Sequence, residues 1–385
     1  MRGRGWVLLA VATSVVVGFT YAGHAGVAPL IASEFGLDDV QLGLIATALY
    51  LAAAATMLVG SHVPDRYPAR DVNALALVLV ILGNAGLAAA PSYPVLLVAR
   101  AVGGVGSAFA LLGGLRYIAR RYGEDRPHFA HGLYGSGFPL GSAVALWMTP
   151  AVGSFAGWRS AYWVATVAMI VVLLAWLRVR QVPPMARPGN FLDATRSLNA
   201  WWTSVQHAAG FGLALAAGTW IAVFIFREFS LPLEASGLLG SLLLLVAAAA
   251  RPVGGYVLAR HILRSLTVMR LAQVACLAGL ALLILPDRPL ALALAGAVLV
   301  GFGGGVGYSA VMNTGAASLP TAPGAAQGVT SLGGLVSALA GAPAMGYAIQ
   351  TWGWGAAWAI LAAISVVALA VTFVMKGEEE LHAGS

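Results

Sequence analysis

Residues Gly43–Arg70 read GLIATALYLAAAATMLVGSHVPDRYPAR, a long apolar run that breaks into a loop carrying an aspartate and two arginines. The pattern returns 194 residues later as Gly237–Arg264, GLLGSLLLLVAAAARPVGGYVLARHILR. Gly43/Gly237, Leu51/Leu245, Ala53–Ala55/Ala247–Ala249, Gly60/Gly254, Arg66/Arg260 and Arg70/Arg264 stand in register. A second match pairs Gly157–Ala161 (GWRSA) with Gly353–Ala357 (GWGAA) at offset 196. A third pairs Gly103–Gly106 with Gly304–Gly307, both GGVG, at offset 201. Three matches in the same order imply two copies of one unit, with a pseudo-twofold axis along the membrane normal.

The rest of the chain has the same character. Its 385 residues are 60% hydrophobic and 9% charged, with a mean hydropathy of +0.86. A soluble domain carries about 25% charged residues, which excludes a water-soluble enzyme. The one cysteine, Cys276, excludes a disulfide framework and a multi-cysteine metal site. A crossing of the hydrocarbon core takes roughly 20 apolar residues. Stretches of that kind lie near Trp6–Ile31, Gln41–His62, Val72–Ala90, Pro94–Arg116, Gly132–Gly153, Ser160–Leu177, Thr203–Phe226, Ser236–Ala259, Leu266–Leu285, Leu290–Asn313, Gly328–Gln350 and Gly355–Val374. The first is about twice the length of a signal peptide's apolar core and is expected to be retained. Short alternating strands are not seen, so a β-barrel is not expected. The expectation is an all-α membrane protein of twelve transmembrane helices in two six-helix bundles, 1–178 and 203–385. They are joined by a polar, proline-containing linker at 179–202.

Arginine placement orients the chain. With the N-terminus in the cytoplasm, sixteen of the 21 basic residues fall on the inner side. Only Arg159, Arg227 and Arg288 fall outside, and Arg100 and Arg251 lie within spans. Such an imbalance predicts both termini in the cytoplasm of a multi-pass inner-membrane protein. It also accounts for the net charge of +7 without nucleic acid, since no aromatic-flanked basic cluster is present. The expected partners are the lipid bilayer, a small-molecule substrate and, as a coupling ion, the proton. The chain is expected to act as a monomer, and no cofactor or metal is expected. No Ser/His/Asp cluster, nucleotide motif or metal-spaced His/Cys set suggests an enzyme.

The loop Ser61–Arg70 resembles the motif between the second and third helices of the major facilitator superfamily. It keeps Asp65, Arg66 and Arg70, with Ser61 and Pro68 where glycines are usual. Leu96-x-x-x-Arg100-x-x-Gly103-Gly104-Val105-Gly106 resembles that family's fourth-helix motif. The fifth-helix antiporter motif is only loosely matched by Gly132–Gly141, because Pro139 does not directly follow a glycine. The resemblance covers essentially the whole chain and implies alternating access. Asp65, with Arg66 and Arg70, is read as a clamp on the inner gate. Arg260 and Arg264 form a second copy in which Ala259 replaces the aspartate.

All fourteen acidic residues are read as lying in loops or tails. An ionisable group in hydrocarbon is costly and usually functional. Arg251 therefore stands out, nine residues or roughly 13 Å from Arg260, with no acid available to pair with it. A guanidinium binds planar oxyanions bidentately. The context Arg251-Pro252-Val253-Gly254-Gly255 resembles eighth-helix stretches of monocarboxylate and nitrate/nitrite porters, where this arginine contacts the anion. This chain has Ala247 where the former carry an aspartate, and Met57 at the repeat position of Arg251. Tyr308, Asn313, Tyr21, Trp220 and Tyr134 are further candidates for the substrate wall. His24, read as the histidine well inside the spans, and Arg100 are the candidates for proton coupling. These residues suggest a secondary active transporter for a small anion, monocarboxylate or nitrate/cyanate-like, working as a symporter or an exchanger. The alternative is a proton-coupled efflux pump for drugs or other amphipathic molecules, which a mid-span carboxylate would favour.

Overall fold

The structure, a computed structural model, describes residues 5–60, 63, 67–122, 127–179, 181 and 191–383. Twelve of its helices are long and apolar enough to cross a membrane. They are α1 Leu8–Phe35, α2 Asp39–Met57, α3 Ala69–Ala88, α4 Tyr93–Gly114, α5 Gly132–Ala156, α6 Trp158–Leu177, α7 Leu198–Phe229, α8 Leu233–Ala259, α9 Ser265–Ile284, α10 Leu290–Ala317, α11 Pro323–Trp352 and α12 Trp354–Val371. Helices suit this setting because they satisfy every backbone polar group internally. Large aliphatic side chains such as Val164, Val167 and Val171 on α6 and Val366 and Val367 on α12 point outward, a lipid-facing belt.

The twelve-span expectation holds, with shifts at the ends. α7 begins at Leu198 rather than Thr203, because the Ser197 hydroxyl accepts the Ala200 N–H at 3.4 Å and caps it. Glu34, Asp39, Asp71, Glu228 and Glu234 lie in terminal turns of helices rather than in loops. None of the described acids lies deeper.

The two halves pack alike. α1 lies on α5, α2 on α4, and α3 on α4 and α6, while α7 lies on α11, α8 on α10, and α9 on α10 and α12. Glycines permit the close crossings. A Cβ at Gly104 would stand 2.3 Å from the Leu49 carbonyl oxygen, and one at Gly301 would stand 2.0 Å from that of Leu243. Gly106 faces the Ala76 carbonyl oxygen as Gly303 faces that of Ala272. These pairings correct the third repeat match. Gly104 and Gly106 correspond to Gly301 and Gly303, an offset of 197 rather than 201, because position at the crossing decides equivalence.

The halves meet along α5 with α8 and α2 with α11. Gly43 packs on Pro343 of α11, and its repeat mate Gly237 packs on Pro150 of α5. Three helices lose regularity near the centre. α1 passes through a 3₁₀ turn at Ala25–Val27, α7 through a π turn at Ala208–Gly212, and α10 breaks at Gly307. Discontinuous spans of this kind collect around binding sites in transporters.

Candidate functional site

α8 carries Arg251 to the seam between the halves, immediately before Pro252. The side chain is buried, 3% exposed. One terminal guanidinium nitrogen donates to the Gly135 carbonyl of α5, which belongs to the other half. The guanidinium carbon stands 4.3 Å from the centre of the Tyr308 ring and 5.8 Å from that of Phe211. Such placement over an aromatic face stabilises a cation. Nε has no hydrogen-bond partner, and none of the ion pairs among the described residues involves Arg251. A buried cation with one carbonyl and two ring faces for company remains open to a planar anion.

Tyr308 reaches this position because α10 breaks at Gly307, the residue before it. Its ring lies against Gly135, where a Cβ would stand 2.5 Å from Cε1. Phe211 comes from the π turn of α7 and continues an aromatic row into the first half. Phe211 meets Phe138 at 5.0 Å, Phe138 meets Tyr21 at 5.0 Å, and Tyr21 meets Tyr50 at 5.3 Å. The Tyr21 hydroxyl is buried without a partner.

The other candidates are spread more widely. Tyr134 turns its hydroxyl to the α4 carbonyls of Leu111 at 3.1 Å and Ala110 at 3.4 Å. Trp220 donates from Nε1 to the Ala342 carbonyl at 2.9 Å and packs on Trp354. It ties α7 to α11. Asn313 is buried further along the short helix that Tyr308 opens.

Arg100 occupies a different kind of seat. Nε donates to the Ile45 carbonyl at 3.1 Å, one terminal nitrogen to the Thr20 carbonyl, and the other to the Tyr21 carbonyl at 3.1 Å. The last also lies 3.3 Å from Nδ1 of His24, whose Nε2 has no partner. With Nδ1 facing a guanidinium N–H, the imidazole proton belongs on Nε2.

Of the gate candidates, Asp65 and Arg66 lie outside the described residues. Arg70 pairs with its neighbour Asp71 at 2.9 Å on the exposed surface. Arg260 stands 5.6 Å from the Tyr256 ring. Arg264 precedes α9, beside a carboxylate that the repeat does not foretell. Glu379 of the tail accepts the Ser265 N–H at 2.8 Å and the Ser265 hydroxyl at 2.7 Å.

Three features went unforeseen. His207 is a second buried histidine within the spans, 6% exposed, which corrects the view that His24 alone lies deep. It stacks on Phe211 at 4.9 Å and 6°. Its spacing of four residues from Phe211, with Gly210 and Gly212 around it, was the available signal. Gln206 and Gln273 join each other at 3.3 Å across α7 and α9. At the end of the molecule where α1 turns into α2, Asp39 and Arg227 form a bidentate pair at 2.7 and 2.9 Å between the halves.

Comparison with known proteins agrees with this architecture. The family model described as Major Facilitator Superfamily matches residues 10–337 and 209–384. "Probable nitrate/nitrite antiporter NarK1" of Thermus thermophilus is 30% identical over 246 residues, 59% of this chain and 54% of the relative. The alignment thus spans about half of that relative's length. "Probable nitrate/nitrite transporter NarK2" of Mycobacterium tuberculosis H37Rv is 26% identical over 316 residues, 79% of each chain. The "3-(3-hydroxy-phenyl)propionate transporter" of Escherichia coli K12 is 31% identical over 150 residues, 38% of this chain and 37% of the relative. With its twelve spans, its duplicated packing and a family match along its length, the chain belongs to the Major Facilitator Superfamily and is a multi-pass membrane protein.

Proposed function

We propose that this protein moves a small planar oxyanion, nitrate- or monocarboxylate-like, across the cytoplasmic membrane by alternating access, with Arg251 as the counter-charge. The observation that carries the reading is the seat of Arg251: buried, at the seam of the halves, hydrogen-bonded to one carbonyl, with Nε unused and no acid beside it. Removing an anion's hydration is repaid by bidentate, charge-assisted hydrogen bonds, which an oxyanion makes and a neutral drug does not. The relatives named for nitrate and nitrite support the same class, and the relative named for a propionate supports a carboxylate. The arginine distribution along the sequence supports an orientation with the linker and both termini in the cytoplasm. On that orientation the Asp39–Arg227 pair closes the outer side.

Purified protein in proteoliposomes, given labelled nitrate on one side, tests the reading. Uptake is expected in the wild type and a loss of about a hundredfold or more in Arg251→Ala, from a charge-assisted contact worth roughly 3 kcal/mol. Arg251→Lys keeps the charge but not the fork and should retain only a small part of the rate. Wild-type uptake by the alanine variant would overturn the assignment.

A further inference from the structure

Behind Arg251, inside the second half, lies a cavity of about 10 Å³, room for about one water molecule. Gln206, His207, Phe211, Gln273 and Tyr308 are among the residues that line it. We propose that His207 takes up a proton when the anion binds at Arg251, so that anion and proton move together. This rests on the anion reading given above and names its coupling residue.

The geometry builds a specific seat for the imidazole. Phe211 stacks on one face, and Tyr308 stands 6.4 Å away. Both rings also pack on the Arg251 guanidinium. Nδ1 lies against Gly334 of α11, where a Cβ would stand only 2.3 Å away, so that glycine is what leaves space for the ring. Nδ1 is buried without a hydrogen-bond partner. The π turn at Ala208–Gly212 starts at the next residue and widens the helix there.

Electrostatics then link the two events. The groups facing His207 are Arg251 from α8, Tyr308 from α10, Gln273 and Met269 from α9, and Gly334 and the Ser331 backbone from α11. Arg251 is the one fixed charge among them. An imidazolium beside it would place two like charges in a low-dielectric wall, and a bound anion offsets both. Anion binding and proton uptake therefore favour each other by the same factor. The proton arrives from water on the side open to the cavity, resides on the ring, and returns to water when the anion leaves. His24 lacks this arrangement, since its neighbour Arg100 is already committed to three carbonyls.

The experiment uses wild-type and His207→Gln protein in proteoliposomes with a luminal pH dye. Nitrate is the probe, with labelled-nitrate counterflow measured in parallel. In the wild type an inward nitrate gradient should acidify the lumen. In His207→Gln counterflow should stay within about threefold, while acidification falls at least tenfold. Acidification that survives in His207→Gln overturns the proposal, as does wild-type nitrate flux with no proton movement. Absence of nitrate counterflow in the wild type would instead overturn the anion reading. Should the variant not fold, wild-type nitrate affinity is followed from pH 5 to 8. It should tighten by up to tenfold per unit of falling pH over the titrating range, and a flat profile overturns the proposal.

Discussion

Arg100 gives its guanidinium to the carbonyls of Thr20, Tyr21 and Ile45, two helices held by one side chain, whereas Arg251 spends one bond on Gly135. The two arginines should therefore fail in opposite ways. Arg100→Leu leaves the three carbonyls without their donor and should lower stability by about 3 kcal/mol or more, read as a drop in melting temperature in detergent. Arg251→Ala should melt near the wild type while transport is lost. A carbonyl-satisfied guanidinium is structural, and a half-satisfied one is free to bind, a difference that residue type and depth do not reveal.

The helix crossings make the duplication physical. Gly104 against Leu49 and Gly301 against Leu243 are the same contact made twice, each with no space for a methyl group. Gly104→Ala and Gly301→Ala should each destabilise by roughly 1–3 kcal/mol through overpacking, whereas Gly355→Ala, whose new Cβ would stand 3.6 Å from the Ile284 carbonyl oxygen, should change little. The two matched losses are measurable by thermal unfolding. The tail helix Glu378–Ala383 docks at the start of α9 through Glu379 and Ser265. Burial raises the Glu379 carboxyl, but hydrogen bonds from Ser265 and its own backbone and the charge of Arg264 bring it below its ordinary value overall. Burial and the charge of Glu379 push Glu378 up to about 7. A free glutamate titrates near 4.3, so the docked tail holds the extra proton between about pH 4.3 and 7. Docking is then firmest below that window and weakens as pH rises through 7. The protection factors of the tail amides, taken relative to intrinsic exchange at each pH, should fall from pH 5 to 8, and Glu378→Gln should remove that fall.

Across the molecule, the α1–α2 side is closed where α2 meets α11 and, among the described residues, by one ion pair between the halves. Asp39 and Arg227 are bidentate, and Thr47 donates to the Leu339 carbonyl at 3.1 Å. Arg227 is 37% exposed, so solvent screens the pair and its contribution is about 0.2–1 kcal/mol. Arg227→Ala should raise the open population on that side by about 1.4- to fivefold. A cysteine introduced at Thr47 can report it by alkylation rate, since the native Cys276 is buried. Exchanging the two charges, Asp39→Arg with Arg227→Asp, should restore the slow rate.

Twelve apolar runs, their repeat and the unpaired Arg251 were legible along the chain, because hydrophobic length and the absence of acids are one-dimensional properties. Tyr308 beside the guanidinium followed from its place after the glycine run only in part; the break at Gly307 aims it. Where Asp39 and Arg227 meet, 188 positions apart, no local pattern could say. His207 was hidden for the same reason: its seat is made by Phe211 on its own helix and by Gly334 on another, which lacks a side chain where the ring must fit. Composition and periodicity select helices and their number, but the partners of a buried polar group are chosen by which helix surfaces can approach closely, and those meet only once the halves have packed.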